Sequence, residues 1–238
     1  MNGGRKLSLA RLGTVEYQPA LRLQEAIVRA RLDNRIADTL LMLEHPHVFT
    51  LGRGGDDRFL IDRPEMVPIH RVSRGGQITY HGPGQLIGYP ILKLEGAGRD
   101  IALYLRKLEA AMIDALGRIG IAANRRDGLT GVWVGDRKIA SIGVGLRRWV
   151  TYHGMALNVA SDLRFFDAIV PCGIAGCQMT SIAALGYPGV SQVHFARIME
   201  ESFASRFGYD FIEPADPAAL WDLIDAPTSA CEAQPEHR

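Results

Sequence analysis

The stretch GVWVGDRKIASIGVGLRRWVTYHGMALNV, residues 131–159, decides the fold. It divides into three pieces rich in β-branched and aromatic residues, GVWV, KIASIGVG and WVTYHGMALNV, and such pieces read as strands. Gly135-Asp136 between the first two is a two-residue hairpin connection, because glycine tolerates the left-handed backbone that a tight turn demands. Strands joined this way are antiparallel neighbours. Lys138 then stands at the start of the returning strand, near a rim of the sheet.

Working outward, the spacing predicts helices on both sides. The first covers roughly Pro19 to Asp38, with Leu23, Ile27, Ala30 and Ile36 on one face. The clearest begins after the N-cap Asp100 and repeats Ile101, Leu105, Leu108, Met112, Leu116 and Ile119, with Gly120 placed as a C-cap. A third runs from Ser191 to Phe207 through Val193, Phe195, Ile198 and Phe203, and PAALWDLI forms a short fourth. TLLMLEH and HVFTLG read as strands meeting at Pro46, and further extended pieces run from Glu65 to Leu94. Helices alternating irregularly with hairpin strands predict an α+β fold and disfavour a doubly wound parallel sheet. No repeat or linker divides the chain, so residues 1–238 are expected as one domain with a frayed tail from about residue 225.

Bulk properties narrow the function. A hydrophobic fraction of 47% and a charged fraction of 22% are ordinary for a globular chain of 238 residues. A net charge of +1 argues against nucleic-acid binding by bulk electrostatics. LLML, Leu40–Leu43, is far too short to cross a bilayer, and the first residues carry positive charge without a sustained apolar core, so neither a membrane span nor a signal peptide is expected. Three cysteines, Cys172, Cys177 and Cys231, suggest no disulfide framework and a cytoplasmic chain with reduced thiols.

The segment RGGQITYHGPGQLIGYP, Arg74 to Pro90, concentrates glycine and proline yet carries Ile78, Tyr80, Leu86 and Ile87. That pattern fits a loop pressed against a ligand better than a flexible one, since glycine lets backbone approach without a clashing Cβ. The chain has no GxxxxGK[ST], and this loop lacks the dinucleotide spacing, so ATP held by the common phosphate loops is unsupported. Cys172 and Cys177 have no second pair, and His45 and His47 beside Pro46 do not complete a zinc set, so no metal is expected. His81 is either a core histidine or a group that orients an acyl carbonyl.

Cys172, in IVPCGIAGC, follows a strand-like run and a proline and precedes Gly173, so it sits in a turn where amides after it can face an oxyanion. The alternative is a buried small hydrophobe. Lys138 is an exposed strand lysine unless folding brings it to Cys172. A thiol with a pKa near ~8.5 is mostly protonated at neutral pH, and an adjacent ammonium favours the thiolate.

Three segments together, RGGQITYHGPGQLIGYP, residues 131–159 and FFDAIVPCGI, resemble the lipoyl(octanoyl) transferases, which move an octanoyl group from acyl carrier protein to lipoyl domains. Their order and spacing match from about Thr39 to Leu185. The resemblance implies the α+β fold of biotin and lipoate protein ligases, a larger mixed sheet flanked by helices beside a smaller sheet, over a catalytic core of about residues 20–212. It implies Cys172 as acyl-thioester nucleophile and Lys138 as its partner. It implies an acyl pocket lined by Arg74, Gly75, Gly76, Gln77, Ile78, Thr79, Tyr80 and His81, by Ser141, Ile142 and Gly143, and by Gly154, Met155 and Ala156. Implied partners are octanoyl-acyl carrier protein and the lipoyl domains of 2-oxoacid dehydrogenase complexes and the glycine cleavage H protein, with no ATP or metal, no nucleic acid and no membrane. Arg71, Arg74, Arg137, Arg147 and Arg148 form either a docking surface for an acidic carrier or a solvated face. An ATP-dependent lipoate or biotin ligase, or a non-catalytic binder of lipoyl domains, are the alternatives.

Overall fold

A computed structural model describes residues 4–62, 66–174 and 176–226. The side chain of Cys172 and the expected tail beyond residue 226, Cys231 included, lie outside the described residues. In chain order the elements are β1 (Lys6–Thr14), α1 (Tyr17–Leu32), β2 (Thr39–Glu44), β3 (Val48–Leu51), β4 (Ile69–Arg71), β5 (Ile78–His81) and β6 (Gln85–Ile91). They continue with α2 (Ile101–Gly117), β7 (Asn124–Arg126), β8 (Leu129–Val134), β9 (Arg137–Arg147), β10 (Val150–Asn158), α3 (Gln192–Phe207), β11 (Phe211–Pro214) and α4 (Pro217–Trp221).

The expected α+β architecture is present. Eight strands form one sheet in the order β11-β1-β2-β6-β10-β9-β8-β7, and β4-β3-β5 form a second, smaller one. β8, β9 and β10 are antiparallel neighbours as the hairpin reading requires, with Gly135 at φ 60 in the β8–β9 turn. One face of the large sheet packs Met42, Met155 and Leu157 against Leu108, Met112, Phe195 and Phe203 of α2 and α3. The other packs Leu41, Ile87 and Ala156 against Leu23, Ile27 and Val28 of α1. Pro46 separates β2 from β3, and the two strands go to different sheets.

The starts of α2 and α3 are legible to the residue, whereas α1 begins at Tyr17 and not at Pro19. Asp100 accepts from the Leu103 amide and Ser191 from the His194 amide, each an N-cap of about 1 kcal/mol. Other boundaries differ from expectation. α1 stops at Leu32, not Asp38, because Asn34 turns left-handed at φ 54, which asparagine tolerates. Asp38 instead accepts from Arg31, the Tyr209 hydroxyl and the Lys93 amide, and ties α1 to β6 and the end of α3. α2 ends at Gly117, before Gly120. Ile101 and Val193 are exposed, and Tyr104 and Ala111 take core places that periodicity assigned to other residues. β1 has no counterpart in the sequence reading, because its partners β2 and β11 are parallel and distant, and no hairpin turn announces it.

Candidate active site

A cavity of about 250 Å³ opens between the large sheet, β5 and the Arg74–His81 loop. Its floor follows from strand register. Ser141 of β9 pairs with Ala156 of β10, and Gly143 pairs with Gly154. Four adjacent positions on one sheet face thus carry almost no side chain, and a trough replaces the usual layer of packing. Thr79 and His81 also line the cavity, as do Ile78, Ile142 and Met155, whose side chains belong to the adjoining cores.

The glycine-rich loop lies directly on this floor. The Gly75 amide donates to the Val144 carbonyl at 2.8 Å, and a Cβ at Gly143 would stand 2.9 Å from Arg74 Cδ. Arg74 is buried and holds the loop in shape, donating to the carbonyls of Thr50, Gly75 and Gln77 and to the Thr50 hydroxyl. It therefore does not belong to a surface patch.

Lys138 is 1% exposed, a position that costs several kcal/mol unless the ammonium is compensated. Its Nζ lies 5.0 Å from the centroid of Trp133, and its backbone is laced to the chain after Cys172: the Lys138 amide donates to the Gln178 carbonyl at 2.8 Å, and the Thr180 amide donates to the Lys138 carbonyl at 2.9 Å. Lys138 and Ile174, two residues past Cys172, both line the cavity. Cys172, 34 residues after Lys138 in sequence, has its backbone in the 3-10 turn Pro171–Gly173 that leads into Ile174. Within that turn the Gly173 amide donates to Val170 and the Ile174 amide to Pro171. Both amides are thus engaged within the turn.

A buried polar chain braces the arrangement. His81 Nδ1 donates to Gln85 Oε1 at 2.7 Å, Gln85 Nε2 to Asn158 Oδ1 at 2.9 Å, and Asn158 Nδ2 to the Thr180 carbonyl at 3.0 Å. His81 thus couples the glycine-rich loop to the strand that holds Lys138. Gly131 supplies the last piece. Its φ is +133, and a Cβ there would meet the Ala140 carbonyl at 2.6 Å and Lys138 Cε at 2.7 Å. Gly131→Ala is expected to cost about 1–3 kcal/mol of stability through backbone strain and to displace Lys138. Turnover should fall at least ~10-fold, a change of about 1.4 kcal/mol in barrier; unchanged turnover in the folded variant would contradict the packing argument.

Of the pocket residues implied by the resemblance, Arg74, Gly76, Gln77, Ile78, Thr79, His81, Ser141, Ile142, Gly143, Gly154, Met155 and Ala156 line the cavity. Gly75 only supports it. Tyr80 points the other way, because alternation along β5 sends it into the small-sheet core against Phe49, Phe165 and Phe166, with its hydroxyl on His47. Tyr17, Tyr89, Leu129, Thr130, His153 and Ile174 also line the cavity, and none was picked out as a site residue by the sequence reading. Leu129 and Thr130 had a signal, since they precede the turn opposite Lys138. Tyr17 had none.

Of the five arginines, Arg74 is buried. Arg71 pairs with Asp57 at 2.6 Å, and Arg147 and Arg148 sit at the β9–β10 hairpin tip, nine residues and about 30 Å along the strand from Lys138. Among the described residues no group of three or more metal-ligating side chains is assembled, and no helix is long and apolar enough to cross a membrane.

Behind the cavity-lining Tyr89, His45 Nδ1 donates to the Val15 carbonyl at 2.6 Å, so its Nε2 accepts from the Tyr89 hydroxyl at 2.7 Å. The Tyr17 ring lies between those of His70 and His81. Burial lowers His45 to about 4 and His81 and His153 to about 3, and it raises Tyr17 to about 12, so all four are neutral at pH 7. In the unfolded chain the imidazoles protonate near ~6.5, so below that pH the unfolded state binds protons that the native state refuses. Their stabilisation is complete above about 6.5 and is lost as the pH falls toward the native values. Unfolding free energy should drop by about 1.4 kcal/mol per pH unit for each histidine in that window. Urea midpoints from pH 7 to 4.5 measure this, and a flat profile would refute it.

Comparison with known proteins agrees with the geometry. The model of the lipoyl protein ligase A/B catalytic domain matches residues 16–204. The octanoyltransferase of Solibacter usitatus is 50% identical over 82% of this chain and 94% of its own length. That of Geobacter metallireducens is 44% identical over 87% and 97%. A crystal structure of lipoate-protein ligase A bound with ATP superposes with a TM-score of 0.72 over 93% of this chain and 94% of that one, at 19% identity, which shows the shared fold alone. The chain belongs to the octanoyltransferases of the lipoyl protein ligase A/B catalytic domain family, and it is an acyltransferase.

Proposed function

We propose that this chain moves an octanoyl group from the phosphopantetheine thioester of acyl carrier protein to a lysine of lipoyl domains, through an octanoyl thioester on Cys172. The Cys172 thiolate attacks the thioester carbonyl, and the carrier thiolate leaves and takes a proton from Lys138. The ε-amine of the acceptor lysine then attacks the octanoyl-Cys172 carbonyl. The amide forms, the C–S bond breaks, Lys138 takes the amine proton and the Cys172 thiolate is regenerated. Exchange of thioester for thioester is nearly balanced and thioester to amide is downhill, so no nucleotide is consumed. Acceptors are the lipoyl domains of 2-oxoacid dehydrogenase complexes and the glycine cleavage H protein.

The observation that supports this reading is that Lys138 and Ile174, which follows the Cys172 turn, line one cavity floored by Ser141, Gly143, Gly154 and Ala156. A saturated eight-carbon chain needs such a slot, and each methylene buried contributes about 0.8 kcal/mol. Because the same fold carries an ATP-bound ligase, the decisive experiment omits nucleotide. Purified protein, octanoyl-acyl carrier protein and a lipoyl domain should yield octanoylated domain without ATP. Transfer from free octanoate that requires ATP would overturn the reading.

A further inference from the structure

Glu109 of α2 is a buried carboxylate that the proposed reaction does not use. It is 1% exposed and does not line the cavity. Two arginines meet its Oε2: Arg106 Nη1 donates to it at 2.7 Å, and Arg125 Nε of β7 lies 3.0 Å away. The arginines are also tied to each other, since Arg125 Nη2 donates to the Arg106 carbonyl. The remaining oxygen, Oε1, accepts from the backbone amide of Gly131 at 3.1 Å. Gly131 lies where the sheet is irregular on both sides. β7 changes register on β8 between the pairs Asn124–Trp133 and Arg126–Leu129. On β9, Ala140 faces Val132 and Lys138 faces Trp133, so Ile139 is an extra residue, and such a bulge re-aims the side chains beside it. The bare Cα of Gly131 faces one of them: a Cβ there would stand 2.7 Å from Lys138 Cε and 3.2 Å from its Nζ. A single backbone residue thus links the buried carboxylate to the buried ammonium.

We propose that Glu109 is a positioning residue for Lys138: held by Arg106 and Arg125, it anchors the Gly131 amide, and Gly131 sets where the lysine ammonium stands in the cavity. Stability alone is a poor explanation of the cluster, because desolvation of a buried carboxylate offsets its attraction to the arginines, and an apolar side chain would fill the same place. What the carboxylate supplies is a rigid acceptor. Charge-assisted contacts from two arginines hold Oε2, and fixing Oε2 fixes Oε1. Gly131 needs such an anchor, since it has no side chain to pack and its φ of +133 persists only where the surroundings impose it. Glu109 acts on Lys138 through this backbone, from outside the cavity.

This inference rests on the reading of Lys138 as proton donor and acceptor. Glu109→Gln in the full-length protein tests it: the shape is kept, but a carboxamide has one oxygen and cannot accept from both the arginines and Gly131. Rapid-quench kinetics with octanoyl-acyl carrier protein and a lipoyl domain should show both half-reactions slowed at least ~10-fold, about 1.4 kcal/mol in barrier. KM for the carrier should stay within ~3-fold, because Glu109 does not line the cavity. In a Lys138→Met background the same substitution should cost less than ~2-fold, since the group it positions is gone. A merely stabilising carboxylate would give equal proportional losses in both backgrounds, and that result would overturn the proposal. So would native rates in folded Glu109→Gln. Glu109→Met, whose freed arginines are already half-exposed, repeats the measurement if the glutamine variant does not fold; failure of both to fold would make Glu109 a stability residue and overturn the proposal too. Native rates in Lys138→Met would sink the reading of the lysine and this inference with it, whereas a slow Lys138→Met beside a native Glu109→Gln would sink this inference alone.

Discussion

Cys172→Ala is expected to lower kcat/KM for octanoyl transfer by at least ~10⁴-fold, the scale on which removal of a covalent nucleophile is felt. No other described residue takes its place. Cys177, half-buried five residues on, lies beyond the turn closed by the Ile174 carbonyl and its own amide. Intact-mass measurement of native protein given octanoyl-acyl carrier protein should show one octanoyl adduct, and digestion should place it on the peptide with Cys172. Cys172→Ser should form an ester slowly or not at all, and Cys177→Ala should keep full activity. An adduct on another residue, or turnover surviving in Cys172→Ala, would rule out the covalent route.

Lys138→Met is the second large effect, expected to slow turnover by about 10²–10⁴-fold, the usual worth of a positioned proton donor and acceptor. Methionine matches the stem of the buried lysine without its charge, and replacement of a buried charge by an apolar group of similar volume is often neutral or stabilising. The variant should therefore fold, with its defect confined to chemistry. Both half-reactions should slow: acylation because the departing carrier thiolate lacks its proton, and deacylation because the attacking amine keeps its own. Rapid-quench measurement separates them. A variant that acylates and deacylates at native rates would assign Lys138 a structural role only. Lys138→Arg should not rescue, because a planar, wider guanidinium does not fit beside Trp133 and the bare Gly131 backbone.

Much of this was readable from residue order. Gly135-Asp136 announced the hairpin that starts β9, Asp100 and Ser191 announced two helix starts, and the RGGQITYHGPG loop announced close backbone approach. These are local signals, in which one side chain or one missing Cβ sets a turn, a cap or a gap within a few positions. The misreadings share the opposite character. β1 is held by parallel partners far away in sequence. Tyr80 was assigned to the pocket wall, and its direction depends on which face of β5 meets the small-sheet core. Arg74 was counted among docking cations, and only its carbonyl partners from Thr50 to Gln77 reveal it as an internal brace.

Sequence alone determined the fold class, the family and the residue types at the site, since strand alternation, turn glycines and capping side chains act at short range and survive being read one at a time. Tertiary structure alone decided where those residues meet. The lacing of Lys138 to Gln178 and Thr180, the trough of four small residues across two strands and the bond from the Gly131 amide to Glu109 each depend on register between distant segments, and register is set by how whole faces pack.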